Sequence, residues 1–267
     1  MSKNFNWLTA TAVAVGLSLA GNAFATNGYF THGNGTKNKA MAGAGIALPE
    51  DSIDVTNNPA VAPFVGDQLI FGASLFSPIR KYSTTPSMLP DAAYQMGAFS
   101  VLPNGGTLKS KSNYHVIPHI AKSWQLDNGN AWALAFYGRG GMNTDWQGGT
   151  ATFDPDGPGP APVMTFPGTY GDGAFGGNGD AGVNLSQAFL DVTWGKKVND
   201  KFSFGIAAVL VAQMFEADGL RTFSPYTKSF AESGGMAMPD SLSNNGTDWS
   251  YGAGLKIGIH MPFAPRW

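Results

Sequence analysis

Few groups in this 267-residue chain suit metal or acid–base chemistry. There is no cysteine, so thiolate nucleophiles, thiolate metal ligands and disulfides are absent. His115 and His119 lie four residues apart. On a strand that spacing separates them by about 13 Å, too far to share an ion. Asp154-Pro155-Asp156-Gly157 opens like a calcium loop but lacks the later ligands and the bidentate glutamate. Gly176-Gly177-Asn178-Gly179-Asp180 is one residue short of the calcium β-roll repeat and occurs once. Gly33-Asn34-Gly35 and Gly43-Ala44-Gly45 do not join a strand to a helix, so they make no nucleotide fingerprint. No Ser/His/Asp set or carboxylate pair stands out, and a non-enzyme without metal or cofactor is expected. A net charge of −2 gives no electrostatic case for nucleic acid. What remains is recognition of apolar molecules. Leu220, Phe223, Tyr226 and Phe230, then Met236 and Met238, crowd one segment. Exposed apolar clusters of this kind usually mark binding surfaces. Arg221 or Lys228 within it offers a cation to a head group.

These residues need elements to hold them, and the first element is a leader. Lys3 gives a positive start, Trp7 to Ala20 is uncharged and mostly apolar, and Ala23-Phe24-Ala25 is an A-x-A site. That is the pattern of a cleaved signal peptide over 1–25. The apolar run is shorter than the roughly 20 residues a spanning helix needs. Only 13% of residues are charged, against about 25% in globular proteins, while glycine reaches 36 residues and aromatics 12%. An exported chain with this composition and no long apolar helix is expected to be all-β, a transmembrane antiparallel β-barrel.

Period-two alternation marks six strands. Asp67 to Phe76 sets Leu69, Phe71, Ala73 and Leu75 against Gln68, Ile70, Gly72 and Ser74. Tyr114 to Leu126 leads through Asp127-Asn128-Gly129-Asn130, whose central Asn-Gly favours a hairpin, into Ala131 to Gly141. Leu185 to Val198 turns at Asn199-Asp200-Lys201 into Phe202 to Leu210. Trp249 to His260 is the clearest: aromatics at one end, aliphatics at mid-depth, and small or polar residues on the opposite face. Short turns at 127–130 and 199–201 alternate with long connections at 78–112, 142–184 and 215–248, the asymmetry of periplasmic turns and outer loops.

Ahead of the first strand, AMAGAGIALPEDS and Asn58-Pro59-Ala60 belong to a Gly/Ala-rich segment too long for a linker. Together with SWQLDNGNAWALAFYG, WGKKVNDKFSFGIAAVLVAQ and LSNNGTDWSYGAGLKIGI in that order, the chain resembles the FadL/TodX-type outer-membrane transporters of long-chain fatty acids and other hydrophobic compounds. The resemblance implies part of a fourteen-stranded barrel with residues 26–66 folded in its lumen as a hatch. It implies a monomer in outer-membrane lipid that binds a hydrophobic small molecule. Thr26 to Phe30 matches the family's tail that reaches into a ligand pocket, which makes Tyr29 and Phe30 ligand-binding candidates; packing of the hatch is their alternative role. Asn58, Pro59 and Ala60 would form the hatch–barrel junction, with Pro fixing φ and Asn capping a turn. The family's third strand kinks inward to open a lateral exit, and Gly138, Gly140 and Gly141 are the matching candidates. Entry to a loop is their alternative. Leu220, Phe223, Tyr226 and Phe230 would line the capture groove.

The chain departs from the family in length. Six strands fill 68–260, and fourteen at that density would need roughly 450 residues. HMPFAPRW abandons alternation and carries Pro262 and Pro265, so 261–267 reads as an aberrant C-terminus of an N-terminal portion. A non-transporting surface barrel or adhesin, or a non-functional remnant, is the competing expectation.

Overall fold

The computed structural model describes residues 30–83, 99–101, 106–153, 159–169, 171–172, 179–237 and 243–261. The leader, Tyr29 and the 262–267 tail lie outside them. The strands are β1 (Gln68–Phe76), β2 (Lys81–Ser83), β3 (Phe99–Val101), β4 (Thr107–Lys109), β5 (His115–Gln125), β6 (Asn130–Trp146), β7 (Thr150–Phe153), β8 (Met164–Pro167), β9 (Ala181–Asn199), β10 (Phe202–Asp218) and β11 (Asp248–His260). Six of them form one antiparallel sheet in the order β1-β5-β6-β9-β10-β11. Between the long strands, β2 pairs with β4, and β3, β7 and β8 make a small sheet. The described residues are mostly antiparallel β-sheet, 52% of them in strands, with few and short helices, as an all-β fold requires. No described helix is long and apolar enough to cross a membrane.

The alternation of side chains decides what each face of the large sheet meets. One face carries large apolar groups in the open: Phe71 is 83% exposed, Tyr251 79% and Ile257 75%, with Trp132, Leu134, Phe204 and Leu210 beside them. The other face holds small and polar residues, and these are the buried ones: Ala121, Ser123, Ala133, Asp191, Thr193 and Ser203. This is the reverse of a half-solvated sheet in a soluble domain, whose apolar face turns to the core.

The covered face is filled by the segment ahead of β1. It contains the short helix α1 (Thr36–Ala40) and 3₁₀ turns at Ser52–Thr56 and Pro59–Phe64. Ile53, Val55, Val61, Ala62 and Val65 pack on Ala121, Ala131, Ala133 and Ala135, whose methyl groups leave room for it. Hydrogen bonds pin the segment to several strands. Ser52 Oγ meets Ser123 Oγ at 2.9 Å, Ser203 Oγ donates to the Ala60 carbonyl at 2.8 Å, and Gln125 Nε2 donates to the Ala62 carbonyl at 3.0 Å.

The first of those turns is held by Asp54, whose Oδ2 accepts the backbone N–H of Glu50 at 2.8 Å and of Asp51 at 3.1 Å. Burial pushes its carboxyl above the ordinary aspartate range, although these two N–H groups oppose the shift. A carboxyl raised in the folded state contributes stability that is full below the unfolded pKa of about 3.9 and is lost as pH rises through the folded value. Hydrogen-exchange protection of 50–58, corrected for intrinsic rates, is therefore expected to fall across that window. Asp54→Asn should flatten the dependence.

β6 and β10 run further than alternation indicates, and the physical reason differs. The third strand, expected to end at Gly141, continues to Trp146 because a register shift between Gly140 and Met142 absorbs the extra residue and pairing with β9 resumes. β10 continues from Leu210 to Asp218 because backbone pairing with β9 carries on where apolar alternation stops. The Asn-Gly turn has φ of 61° at Asn128 and 72° at Gly129, the pair of positive values a tight hairpin needs.

Candidate functional site

The large sheet has a seam. β5 pairs with β6 from Gln125↔Ala131 to His119↔Tyr137 and no further. Yet β5 stays paired with β1 to His115, and β6 stays paired with β9 to Trp146. His115 to Pro118 therefore have no ladder partner on the β6 side, and Pro118 has no N–H to offer one. Across the seam stand Gly138, Gly140 and Gly141. A Cβ at Gly138 would lie 3.3 Å from both Ile117 and Pro118, so the two strands stay close there although they form no ladder. Gly140 and Gly141 adopt φ of 141° and 143°, which side-chain-bearing residues rarely reach. The three glycines are thus strand residues at the bulge, not a loop entry.

A pocket of about 470 Å³ opens at this seam. Its lining draws on both faces of the sheet: Val116, Phe136 and Ala188 from the apolar face, Arg139 and Gln187 from the covered one. A neighbouring pocket of about 610 Å³ shares His115, Asn143 and Ser186 with it and is lined by Asp145, Asp180, Glu216 and Asp218. Among the described residues no group of three His, Asp or Glu side chains is placed to hold a metal ion.

Arg139 ties the pocket to the N-terminal segment. Its guanidinium carbon lies 4.9 Å from the Phe30 ring centroid, 5.3 Å from Tyr137 and 5.4 Å from Phe189. Tyr137 and Phe189 are themselves stacked at 5.2 Å. Arg139 Nε donates to Asn34 Oδ1 at 3.2 Å. Phe30 therefore sits half-buried on a cation that reaches the pocket, while Tyr29 lies outside the described residues.

Asn58, Pro59 and Ala60 make a second anchor. Asn58 Oδ1 accepts the Ala60 N–H at 3.0 Å, capping the turn that Pro59 begins. Asn58 Nδ2 donates to the Ile46 carbonyl at 3.2 Å and to the β11 carbonyl of Ile259 at 3.1 Å. The turn rests on Gly195, Gly205 and Gly258, which are in register across β9, β10 and β11. A Cβ at Gly205 would overlap the Pro59 carbonyl group, and one at Gly258 would overlap Asn58 Oδ1. Alternation alone does not reveal this glycine row, because it runs across strands. The partial signal is a covered-face glycine in each of three strands, Gly195, Gly205 and Gly258, although β11 carries Gly252 and Gly254 on that face as well.

Lys256 anchors the segment a third time. Its Nζ lies 2.6 Å from Asp191 Oδ2 and donates to Tyr137 OH at 3.2 Å and to the Thr56 carbonyl at 3.0 Å. Tyr137 OH donates in turn to Asp191 Oδ1 at 3.3 Å. Asp191 is fully buried. A lone Asp and a lone Lys at covered-face strand positions are the sequence signal for this network.

The loop candidates are dispersed. Leu220 is half-buried, whereas Phe223 and Tyr226 are exposed on the 3₁₀ turn Arg221–Tyr226. Phe230 belongs to the helix α2 (Lys228–Glu232) and packs near Gly235. None of the four lines the seam pocket. Lys228 is paired with Glu232 at 3.4 Å, and the Arg221 backbone N–H donates to Asp172 Oδ1 at 3.3 Å. No protein-family model matches this chain, and none of the curated proteins compared with it matches.

Proposed function

We propose that this chain serves the passage of hydrophobic molecules, such as long-chain fatty acids or hydrocarbons, across a bacterial outer membrane. The observation that carries the reading is the seam pocket, which is lined from both faces of a sheet whose uncovered face is apolar. In this reading the apolar face meets lipid, and residues 26–66 act as the hatch. On the same reading the sheet belongs to a closed transmembrane barrel: among the described residues β1 and β11 each pair on one side only, and lipid leaves no strand edge unsatisfied. The nine residues of β1 and eleven of β5 suit a spanning strand of about 9–11 residues. Phe223, Tyr226 and their neighbours capture the ligand, the lumenal pocket near Phe30 receives it, the hatch shifts, and the seam at Gly138, Gly140 and Gly141 releases it sideways. Burial of apolar ligand surface, about 25 cal/mol per Å², drives each transfer.

Cells producing the full chain are expected to take up a fluorescent alkyl reporter faster than cells without it, and deletion of 27–60 is expected to change that rate. Equal uptake by all three strains would return the chain to the reading as a non-transporting surface barrel.

A further inference from the structure

The seam is closed at both ends. On the hairpin side the β5–β6 ladder stops at His119↔Tyr137. At the far end two hydrogen bonds cross between the chain ahead of β5 and the end of β6. The Asp145 N–H donates to Ser110 Oγ at 3.0 Å, and the Lys111 N–H donates to the Asp145 carbonyl at 2.8 Å. Between these limits the Arg80 side chain spans the gap. Arg80 lies on the connection from β1 to β2; its Nη2 donates to the Ser112 carbonyl at 2.8 Å and its Nη1 to the Gly141 carbonyl at 3.4 Å. Ser112 leads into β5, whereas Gly141 is the β6 residue that the register shift skips, and it has no ladder partner among the described residues. The Arg80 backbone is itself fixed, because its carbonyl accepts the Ser110 N–H at 3.0 Å. Among the described residues no carboxylate stands within salt-bridge distance of this guanidinium, so carbonyls from both sides of the seam are what it holds.

We propose that Arg80 is a positioning residue for release through the seam: by bridging the Ser112 and Gly141 carbonyls it holds the far end of the gap shut, and its letting go sets how often the gap widens. A bulge takes backbone groups out of the ladder, and a carbonyl without a partner is costly unless a donor reaches it. Arg80 supplies that donor from outside both strands. The fork matters as much as the charge. A guanidinium presents several N–H groups in one rigid plane and serves two acceptors at once, whereas an ammonium is a point charge on a flexible stem. Because the strap comes from neither β5 nor β6, it can release without breaking either strand's ladder to β1 or β9. The inference rests on the seam being the exit, as proposed above.

The test is hydrogen exchange at residue resolution in the purified full chain held in amphipol at pH 7. The Lys111 and Asp145 amides report parting of the far end, and substitution at Arg80 alters neither of them. In Arg80→Gln both are expected to exchange about tenfold faster than in the unaltered chain, the factor set by losing charge-assisted hydrogen bonds at a half-buried guanidinium. The amides of 187–192, within the β6–β9–β10 ladders, should keep their rates. Arg80→Lys keeps the charge but cannot bridge both carbonyls, so it should exchange as Arg80→Gln does. Unchanged exchange at Lys111 and Asp145, an equal acceleration in 187–192, or full protection in Arg80→Lys overturns the inference. In cells, Arg80→Gln is expected to speed uptake of the alkyl reporter. Faster exchange at the far end with unchanged uptake defeats release through the seam and leaves the strap standing. Faster uptake with unchanged exchange defeats the strap alone.

Discussion

Gly205→Val is expected to unseat the N-terminal segment from the sheet. The new Cβ would overlap the Pro59 carbonyl group and stand 2.7 Å from the Ala60 nitrogen. Both are backbone atoms of a turn already fixed by proline, so no flexible side chain can yield. On either side Gly195 and Gly258 are in register and also lie against the turn, which hinders the segment from sliding along the row. Overpacking in a tight core costs about 1–3 kcal/mol, and backbone clashes lie at the upper end or beyond. Losing the seat also removes the Asn58 bond to Ile259 and the Ser203 bond to Ala60. Limited proteolysis should therefore cut within 30–66 far faster in Gly205→Val than in the unaltered chain. Gly254→Val is the control: it lies on β11, has nothing within 4 Å of its Cβ, and should leave cleavage unchanged.

The second large effect belongs to Asp191. With Asp191→Ala, Lys256 keeps its bonds to Tyr137 and the Thr56 carbonyl but loses the only carboxylate within salt-bridge distance among the described residues. Removing one member of a fully buried ion pair costs about 3–5 kcal/mol. The Lys256 side chain is 31% exposed, so its remaining charge is partly hydrated and a loss of about 2 kcal/mol is expected. Urea unfolding followed by tryptophan fluorescence should show a loss of that size. The pair itself is less valuable than its disruption is harmful. The double variant Asp191→Leu with Lys256→Met is accordingly expected to recover most of the loss, since apolar groups of similar volume replace the pair. If the double variant is as unstable as Asp191→Ala, the network is holding the 52–56 turn through Lys256 and not merely avoiding a stranded charge.

The strands were legible in the sequence because alternation is local. Trp249 to Ile259 announces β11, and Asn128-Gly129 announces the hairpin before β6. Where alternation lapses, the boundaries were lost. Gly140 and Gly141 look like the end of a strand, although they form the bulge that lets β6 continue. Asn184, Glu216 and Asp218 lie in ladder positions held by backbone bonds that side-chain pattern does not report. Asn58-Pro59-Ala60 stood out as a turn, but its seat did not, because Gly195, Gly205 and Gly258 are neighbours only through register. Arg139 was equally hidden. Its partners Asn34, Phe30 and Phe189 come from the N-terminal segment and from β9, and a lone arginine between glycines carries no local signal of them.

A reversible lock on the seam addresses the transport account most directly. The chain has no cysteine, so Pro118→Cys with Gly138→Cys introduces a single pair of thiols, at positions in contact across the gap between β5 and β6. In cells producing this variant, uptake of the alkyl reporter is expected to stop when the pair is oxidised and to return on reduction. Uptake that proceeds equally through a locked seam, or that is absent in the reduced and unaltered chains alike, would contradict lateral release at Gly138, Gly140 and Gly141.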